Sequence, residues 1–399
     1  MRTVIWFDSF TDEERSCLGG KSVSLGEMIS AGLPVPPGFA VTTHAFRVAR
    51  DGSGTMPEIR ARLDGLDVND SRDVSVRAAA VRELITGWPI PGSLEDEIRA
   101  SYQQLCQKTM VGDVPVAVRS SATCEDSAAA SFAGEHDTYL WVRGANEVVT
   151  HIRRCWASLF TDRAVCYRAE MGYPHLDMEM CVAVQKMVRP RAAGVAFTLN
   201  PGDGDRSTVA IDSAWGFGEG VVSGEVTPDN FLIDKVLGTI SRRTVSAKTH
   251  AYRLSGDGHV RLVPLPHEEA IAPSLSDPEI AAIAKFARAA EKHYGCPQDV
   301  EWAVDEDLPD GANIVLLQTR PETVWSKKTT VVSTGADPLT SIVSTLVNPL
   351  YARKPLSKDG GRNARPVPQP IRDPDPTRRR GLGEALPVLV AVQRGPPRL

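Results

Sequence analysis

The groups best suited to chemistry lie near residue 300. Asp299-Val-Glu301-Trp302-Ala-Val304-Asp305 alternates in polarity, a turn-rich Glu306-Asp-Leu-Pro309-Asp-Gly311 interrupts it, and Asn313-Ile-Val315-Leu-Leu317-Gln318-Thr-Arg320 resumes before Pro321. This pattern predicts a β-hairpin. With the turn symmetric about its middle, Glu301 lies opposite Gln318 and Asp299 opposite Arg320, while Val304 meets Val315 and Trp302 meets Leu317 on the other face. Glu301 and Gln318 would then offer a carboxylate and an amide oxygen side by side, hard ligands suited to a Mg2+ that also holds phosphate oxygens. The forked donors of Arg320 suit a phosphate oxygen. A solvated hairpin face also carries polar groups. Here, however, Ala303, Ile314 and Leu316 would share it, and a half-apolar face charged at one end better fits the floor of a cleft.

Two other stretches carry groups suited to phosphate. Leu18-Gly19-Gly20-Lys21-Ser22 sets two glycines, which let backbone approach a ligand, before a lysine and the start of an amphipathic helix. It is not a Walker A loop, because the first glycine of Gly-x-x-x-x-Gly-Lys-Ser/Thr is missing, and alone it reads as a helix-start turn with an exposed lysine. Val114-Pro-Val116-Ala-Val118 predicts an apolar strand ending in Arg119-Ser120-Ser121, at a strand end of the kind where α/β folds place ligand groups. The small residues of Ser131-Phe132-Ala133-Gly134 would fold over a polyphosphate with N–H and hydroxyl donors. A surface turn with a solvated arginine fits that stretch equally well. Trp215-Gly216-Phe-Gly218-Glu219-Gly220 has Gly-x-Gly-x-Gly spacing with no clear βαβ unit around it, so a dinucleotide fingerprint is rejected. His44, ahead of a plain helical stretch, reads as structural rather than as a phosphoacceptor.

The elements that must hold these groups are short strands and amphipathic helices. Residues 40–43, 180–188, 194–198, 208–212 and 227–234 predict strands. Val76 to Gln107 reads as two helices split by Trp88-Pro-Ile-Pro91-Gly92, and Val149 to Glu170 has helical periodicity with Cys155, Trp156 and Phe160 on one side. Pro273 to Tyr294 predicts a helix capped by Ser274 or Ser276 that leads through Gly295 into the hairpin. Asp51 to Ser71 reads as a polar connection with few core residues.

A chain of 399 residues is long enough for two or three domains with real cores, and 42% hydrophobic with 24% charged residues points to a globular rather than a fibrous or disordered protein. Charge is uneven. Residues 351–399 hold eleven Lys/Arg against four Asp/Glu, or +7, so the net −5 leaves −12 on residues 1–350. From Arg353 the chain turns Arg- and Pro-rich, which predicts a disordered tail, and without interleaved aromatics that tail makes no case for nucleic acid. Seven scattered cysteines with no Cys-x-x-Cys pair argue for reduced thiols rather than a disulfide framework or a zinc site. No apolar run approaches the roughly 20 residues that span a bilayer. Met1-Arg-Thr-Val-Ile-Trp-Phe-Asp8 reaches an acid too soon for a signal peptide, so a cytoplasmic protein without a membrane partner is expected.

Taken in order, four stretches resemble the nucleotide-binding region of the phosphoenolpyruvate synthase, pyruvate phosphate dikinase and rifamycin phosphotransferase family. They are Gly-Gly-Lys21-Ser-Val-Ser-Leu-Gly-Glu, Val-Ala-Val-Arg119-Ser-Ser-Ala-Thr with Ser-Phe-Ala-Gly134, Gln-Lys-Met-Val188 with Gly194-Val-Ala-Phe-Thr, and Gln-Asp-Val-Glu301-Trp with Leu-Gln318-Thr-Arg320-Pro-Glu-Thr. The resemblance covers roughly residues 15–326. It implies an α/β (α+β) fold, ATP-grasp-like, in which a first lobe (1–180) and a second lobe (181–326) sandwich ATP, with 327–399 as linker and basic tail.

On this resemblance Lys21, Arg119 and Arg320 are the catalytic cations that hold phosphate, and Ser131 to Gly134 cover the phosphates. The backbone about Gln185, Met187 and Val188 meets the adenine edge. Glu301 and Gln318 bind Mg2+, and Asp299 matches the acidic residue before the metal ligand. Such enzymes cut ATP to AMP and phosphate and pass the β-phosphate through a histidine on a swivelling domain to pyruvate, a rifamycin or a phenol. Phosphoryl transfer places charge on equatorial oxygens, and cations already in position stabilise it without reorganisation. Of the eight histidines only His44, in Thr42-Thr43-His44-Ala45, matches Ser/Thr-x-His-Ala, and its place ahead of a plain helical stretch makes it a structural histidine rather than a convincing phosphoacceptor. The expectation is therefore an incomplete dikinase that works with a phosphohistidine-domain protein in trans, its small-molecule acceptor unknown. The competing expectation is a nucleotide-binding remnant without turnover.

Overall fold

The computed structural model describes residues 1–122, 126–127, 130–131, 137–256, 258–323 and 325. Short β-rich segments assemble into two antiparallel sheets. The first has five strands in the order Val4–Trp6, Gly38–Val41, Met180–Lys186, Val116–Ala122, Thr138–Val142. The second has six, in the order Ile240–Thr244, Asp229–Asp234, Thr208–Trp215, Pro190–Phe197, Gln298–Asp305, Ile314–Pro321. The architecture is α+β. The strand expected to open the second lobe at residue 181 lies instead in the middle of the first sheet, so the sheets divide between Lys186 and Pro190. Its period-two pattern explains this: Val182 and Val184 enter the helical core on one face, Cys181 and Ala183 a second core on the other.

The helical core is built by the segments 43–63, 71–109 and 145–170. Phe46, Trp88 and Trp156 meet at its centre with ring centroids 5.6–6.5 Å apart. The expected polar connection from Asp51 to Ser71 contains the helix Met56–Leu63, because Met56, Ile59 and Leu63 recur on one face and Ile59 is buried. The expected helical run to Glu170 breaks at Ser158–Phe160, and Thr161 restarts it by accepting the Ala164 N–H at 3.2 Å.

The second core lies between the sheets. It draws Ile5, Leu25, Met28 and Ala183 from one side and Ile211, Phe231, Trp302 and Leu316 from the other, with the helix Asp277–Tyr294 packed against it. Ser276 caps that helix in a capping box with Glu279, both Ser276 N and Oγ lying 2.8 Å from Glu279 Oε2.

Ser274, the other candidate cap, serves a buried network instead. Its N and Oγ donate to Asp229 Oδ2 at 2.8 and 2.7 Å, and Asp229 Oδ1 accepts from Lys248 Nζ at 2.5 Å and Ser246 N at 2.9 Å. Asp229 and Lys248 are both fully buried. Removing one partner of such a pair strands the other charge in the interior. Asp229→Ala should therefore lower the unfolding free energy by about 3–5 kcal/mol in guanidinium or urea titrations. A loss of only a few tenths would show that the network is not holding the second sheet to its covering segments.

Candidate functional site

The hairpin forms with Glu301 opposite Gln318 and Asp299 opposite Arg320. Beyond Glu301 a bulge shifts the register, so Trp302 pairs with Leu316, Ala303 with Val315 and Val304 with Ile314. The expected Trp302–Leu317 and Val304–Val315 pairs are each off by one, and Leu317 is the surplus residue. The faces change accordingly. Ile314 and Leu316, expected beside the polar groups, join Trp302 and Val304 in the inter-sheet core, whereas Val315 and Leu317 join Ala303 against Val188 and Ala193. Fully buried Trp302 pins this arrangement, since a one-residue slip would turn it out of the core.

Between the sheets lies a cleft. Ala117, Arg119 and Leu140 line it from the first sheet and Glu301, Ala303 and Leu317 from the second, with Gln185 to Val188 also in its lining. Arg119 Nη2 donates to Gln318 Oε1 at 2.9 Å, so the cation of one sheet touches the amide of the other beside Glu301. Lys21, Gln318 and Arg320 are not part of this lining. Lys21 Nζ donates to Ser120 O at 3.1 Å, next to Arg119. The helix bearing Lys21 can come so close because Gly19 has no side chain: a Cβ there would lie 1.8 Å from Ser121 O. Arg320 Nε donates to Asp299 Oδ2 at 3.3 Å on the exposed side of the hairpin. Ser131 backbone pairs with Asp126 in a short ladder, and Gly134 lies outside the described residues.

Among the described residues no three His, Cys, Asp or Glu side chains converge as a metal cluster. Glu301 and Gln318 instead supply two hard oxygens from directly paired strand positions. A Mg2+ held there would complete its shell with phosphate oxygens and water, which suits an ion that dehydrates reluctantly.

Two carboxyls near the site have raised pKa values. Burial pushes Asp299 up to about 6, against the pull of Arg320 and with the charges of Glu322 and Glu301 adding to the rise, and its Oδ1 has no hydrogen-bond partner. Burial, aided by Glu225, pushes Glu219 up to about 7, and its Oε2 is likewise unpartnered. Glu219 lines the cleft with Phe217, Gly218 and Val222.

This glycine-rich contribution was missed in the sequence, although the glycines were its signal. Gly216, at φ +73, packs so tightly that a Cβ would lie 2.1 Å from Tyr252 O, and Phe217 N donates to that carbonyl at 2.9 Å. The glycines thus serve strand contact rather than a βα turn.

Several polar groups of residues 185–188, the expected adenine edge, are already bonded within the protein. Met187 N is bonded to Pro115 O at 2.8 Å, and Gln185 Nε2 donates to Pro36 O at 3.3 Å. Lys186 N donates to Pro37 O at 2.9 Å, but Pro37 has no N–H to return, so the Lys186 carbonyl lacks its ladder donor. Val188 N makes no backbone hydrogen bond among the described residues. An acceptor and a donor two residues apart are the complement of an aminopyrimidine edge.

The chain resembles known proteins along most of its length. The family described as pyruvate phosphate dikinase, AMP/ATP-binding domain, matches residues 15–339. The probable phosphoenolpyruvate synthase of Staphylothermus marinus is 43% identical over 349 residues, which cover 82% of this chain and 42% of that protein. That of Methanocaldococcus jannaschii is 41% identical over 327 residues, covering 82% and 27%. The phosphoenolpyruvate synthase of Aquifex aeolicus is 40% identical over 350 residues, covering 82% and 40%. The chain thus spans less than half the length of these relatives.

The buried Glu219 carboxyl gives a test that needs no ligand. Its folded pKa of about 7 lies above the ordinary carboxyl value of 4.5, so the folded state holds the proton longer than the unfolded chain does. Its contribution to stability is full at low pH and is lost as pH rises from the unfolded value through about 7. Glu219→Gln should remove that share of the decline in unfolding midpoint, making variant and wild type diverge toward neutral pH. Parallel curves across this range would place Glu219 in water.

Proposed function

The chain belongs to the pyruvate phosphate dikinase AMP/ATP-binding domain family, and from that premise we propose that it carries the ATP-cleaving step of a phosphoenolpyruvate synthase-like dikinase. The Arg119–Gln318 bond across the cleft, beside Glu301, is the observation that carries the reading, because it gathers a phosphate donor and two hard oxygen ligands at one point. Adenine sits against the Lys186 carbonyl and the Val188 amide. The phosphates run toward Arg119, with Lys21, on the helix beside Ser120, and Arg320, on the hairpin, as further cations. Glu301 and Gln318 hold Mg2+, which when bound neutralises charge on the phosphate oxygens.

In the proposed reaction a histidine nitrogen forms a bond to the β-phosphorus, and the bond from that phosphorus to the α-phosphate oxygen breaks, releasing AMP. Water then removes the γ-phosphate as free phosphate and leaves the β-phosphoryl group on the histidine. That histidine belongs to a separate domain or partner, and the final acceptor is pyruvate or another small molecule. Among the described residues no helix is long and apolar enough to cross a membrane, and the reading places the reaction in the cytoplasm.

The test is to incubate the chain with ATP and Mg2+, with and without a separately produced histidine domain from a phosphoenolpyruvate synthase, and to follow AMP and phosphate. AMP should form with the histidine domain present, and Glu301→Ala or Arg119→Ala should each lower its rate by about 100-fold or more. ATP binding without AMP under every pairing would falsify the catalytic reading. Variants with wild-type binding and turnover would remove the assigned residues from the site.

A further inference from the structure

The edge strand Thr138–Val142 carries one residue more than its neighbour can match. Val116 pairs with Val142 and Val118 with Tyr139, so two steps on one strand meet three on the other. The surplus falls at Leu140 and Trp141, and Trp141 takes it up with φ +61. A bulky residue seldom adopts that left-handed backbone, and bulges beside functional sites re-aim side chains. Here the indole meets Phe217 of the second lobe edge to face, with ring centroids 6.3 Å apart and planes at 77°. Leu140 and Phe217 both line the cleft, so the pair stands at its rim and joins one sheet to the other.

The two partners are held differently. Phe217 is anchored: its N–H bonds to Tyr252 O at 2.9 Å, and the Tyr252 hydroxyl donates to Glu225 at 2.5 Å. Trp141 sits at the bulge of an edge strand in a left-handed backbone that a bulky residue seldom adopts. We propose that Trp141 and Phe217 form an aromatic latch across the mouth of the cleft that governs how fast nucleotide enters and leaves. The latch rests on the reading of the cleft as an ATP site, and both residues act by positioning the sheets rather than by touching the reacting phosphate. Closing the pair holds Phe217, Gly218 and Glu219 against bound nucleotide; parting it frees the exit.

The test is stopped-flow release of a fluorescent ATP analogue from the full chain. Trp141→Ala and Phe217→Ala should each speed release by about tenfold, the scale of one lost edge-to-face pair. The double variant should go no further, and Trp141→Phe, which keeps a ring pair, should stay near wild type. Release rates equal to wild type in both alanine variants, or effects that multiply in the double variant, overturn the latch. A second readout needs no nucleotide. Acrylamide quenching of the emission that Trp141→Phe removes should rise in Phe217→Ala, and unchanged quenching overturns the latch by itself. A wild-type chain that binds no ATP analogue overturns the ATP-site reading instead, while the quenching comparison still reports on the pair.

Discussion

Trp302 is fully buried on the back of the Gln298–Asp305 strand, among side chains drawn from both sheets. Alternation then obliges Glu301 and Ala303 to face the other way, into the cleft, and pairing with the next strand brings Gln318 beside Glu301. The site therefore depends on a hydrophobic anchor that touches no ligand. The same core includes the small side chains of Ala40, Ala183, Ala192 and Ala196. On the cleft side Arg119 reaches across to Gln318.

Burial has a second consequence at this cleft. Glu219, in the cleft lining, and Asp299, beside Arg320 outside it, are both raised by desolvation, which for Asp299 outweighs the attraction of Arg320. A carboxyl raised to about 7, as Glu219 is, is protonated for part of the time at neutral pH and then donates a hydrogen bond that a carboxylate cannot. On the proposed reading, a cleft that takes phosphates gains from dry walls through stronger cation–phosphate attraction and from weaker repulsion by Glu219.

Much of this was legible in the residues. Alternation and turn chemistry located the hairpin and paired Glu301 with Gln318, and the small residues around Gly19 and Arg119 marked strand and helix ends. The bulge was not legible, because an extra residue at Leu317 leaves the local polarity pattern intact and is decided by how Trp302 packs against a distant sheet. The glycines at 216–220 were rightly denied a dinucleotide role, but their actual role was not legible, for a related reason. Their need is set by Tyr252 on a separate hairpin, and nothing near them in the chain announces that partner. Met56–Leu63 was missed since its single apolar stripe sits among charges, and only the burial of Ile59 reveals it.

The Arg119–Gln318 bond also constrains the order of events on the proposed reading. The Gln318 amide oxygen has two lone pairs, and Arg119 already uses one of them. A Mg2+ on the other would stand close to a guanidinium, an unfavourable pairing of like charges at low local dielectric. Phosphate oxygens placed between the two cations reverse the sign of that interaction, binding each of them at once. Metal and nucleotide are therefore expected to enter as one complex, with Arg119 turning from the amide to the phosphate as they arrive. The bond that joins the two sheets without ligand then becomes the clamp that closes them on ATP.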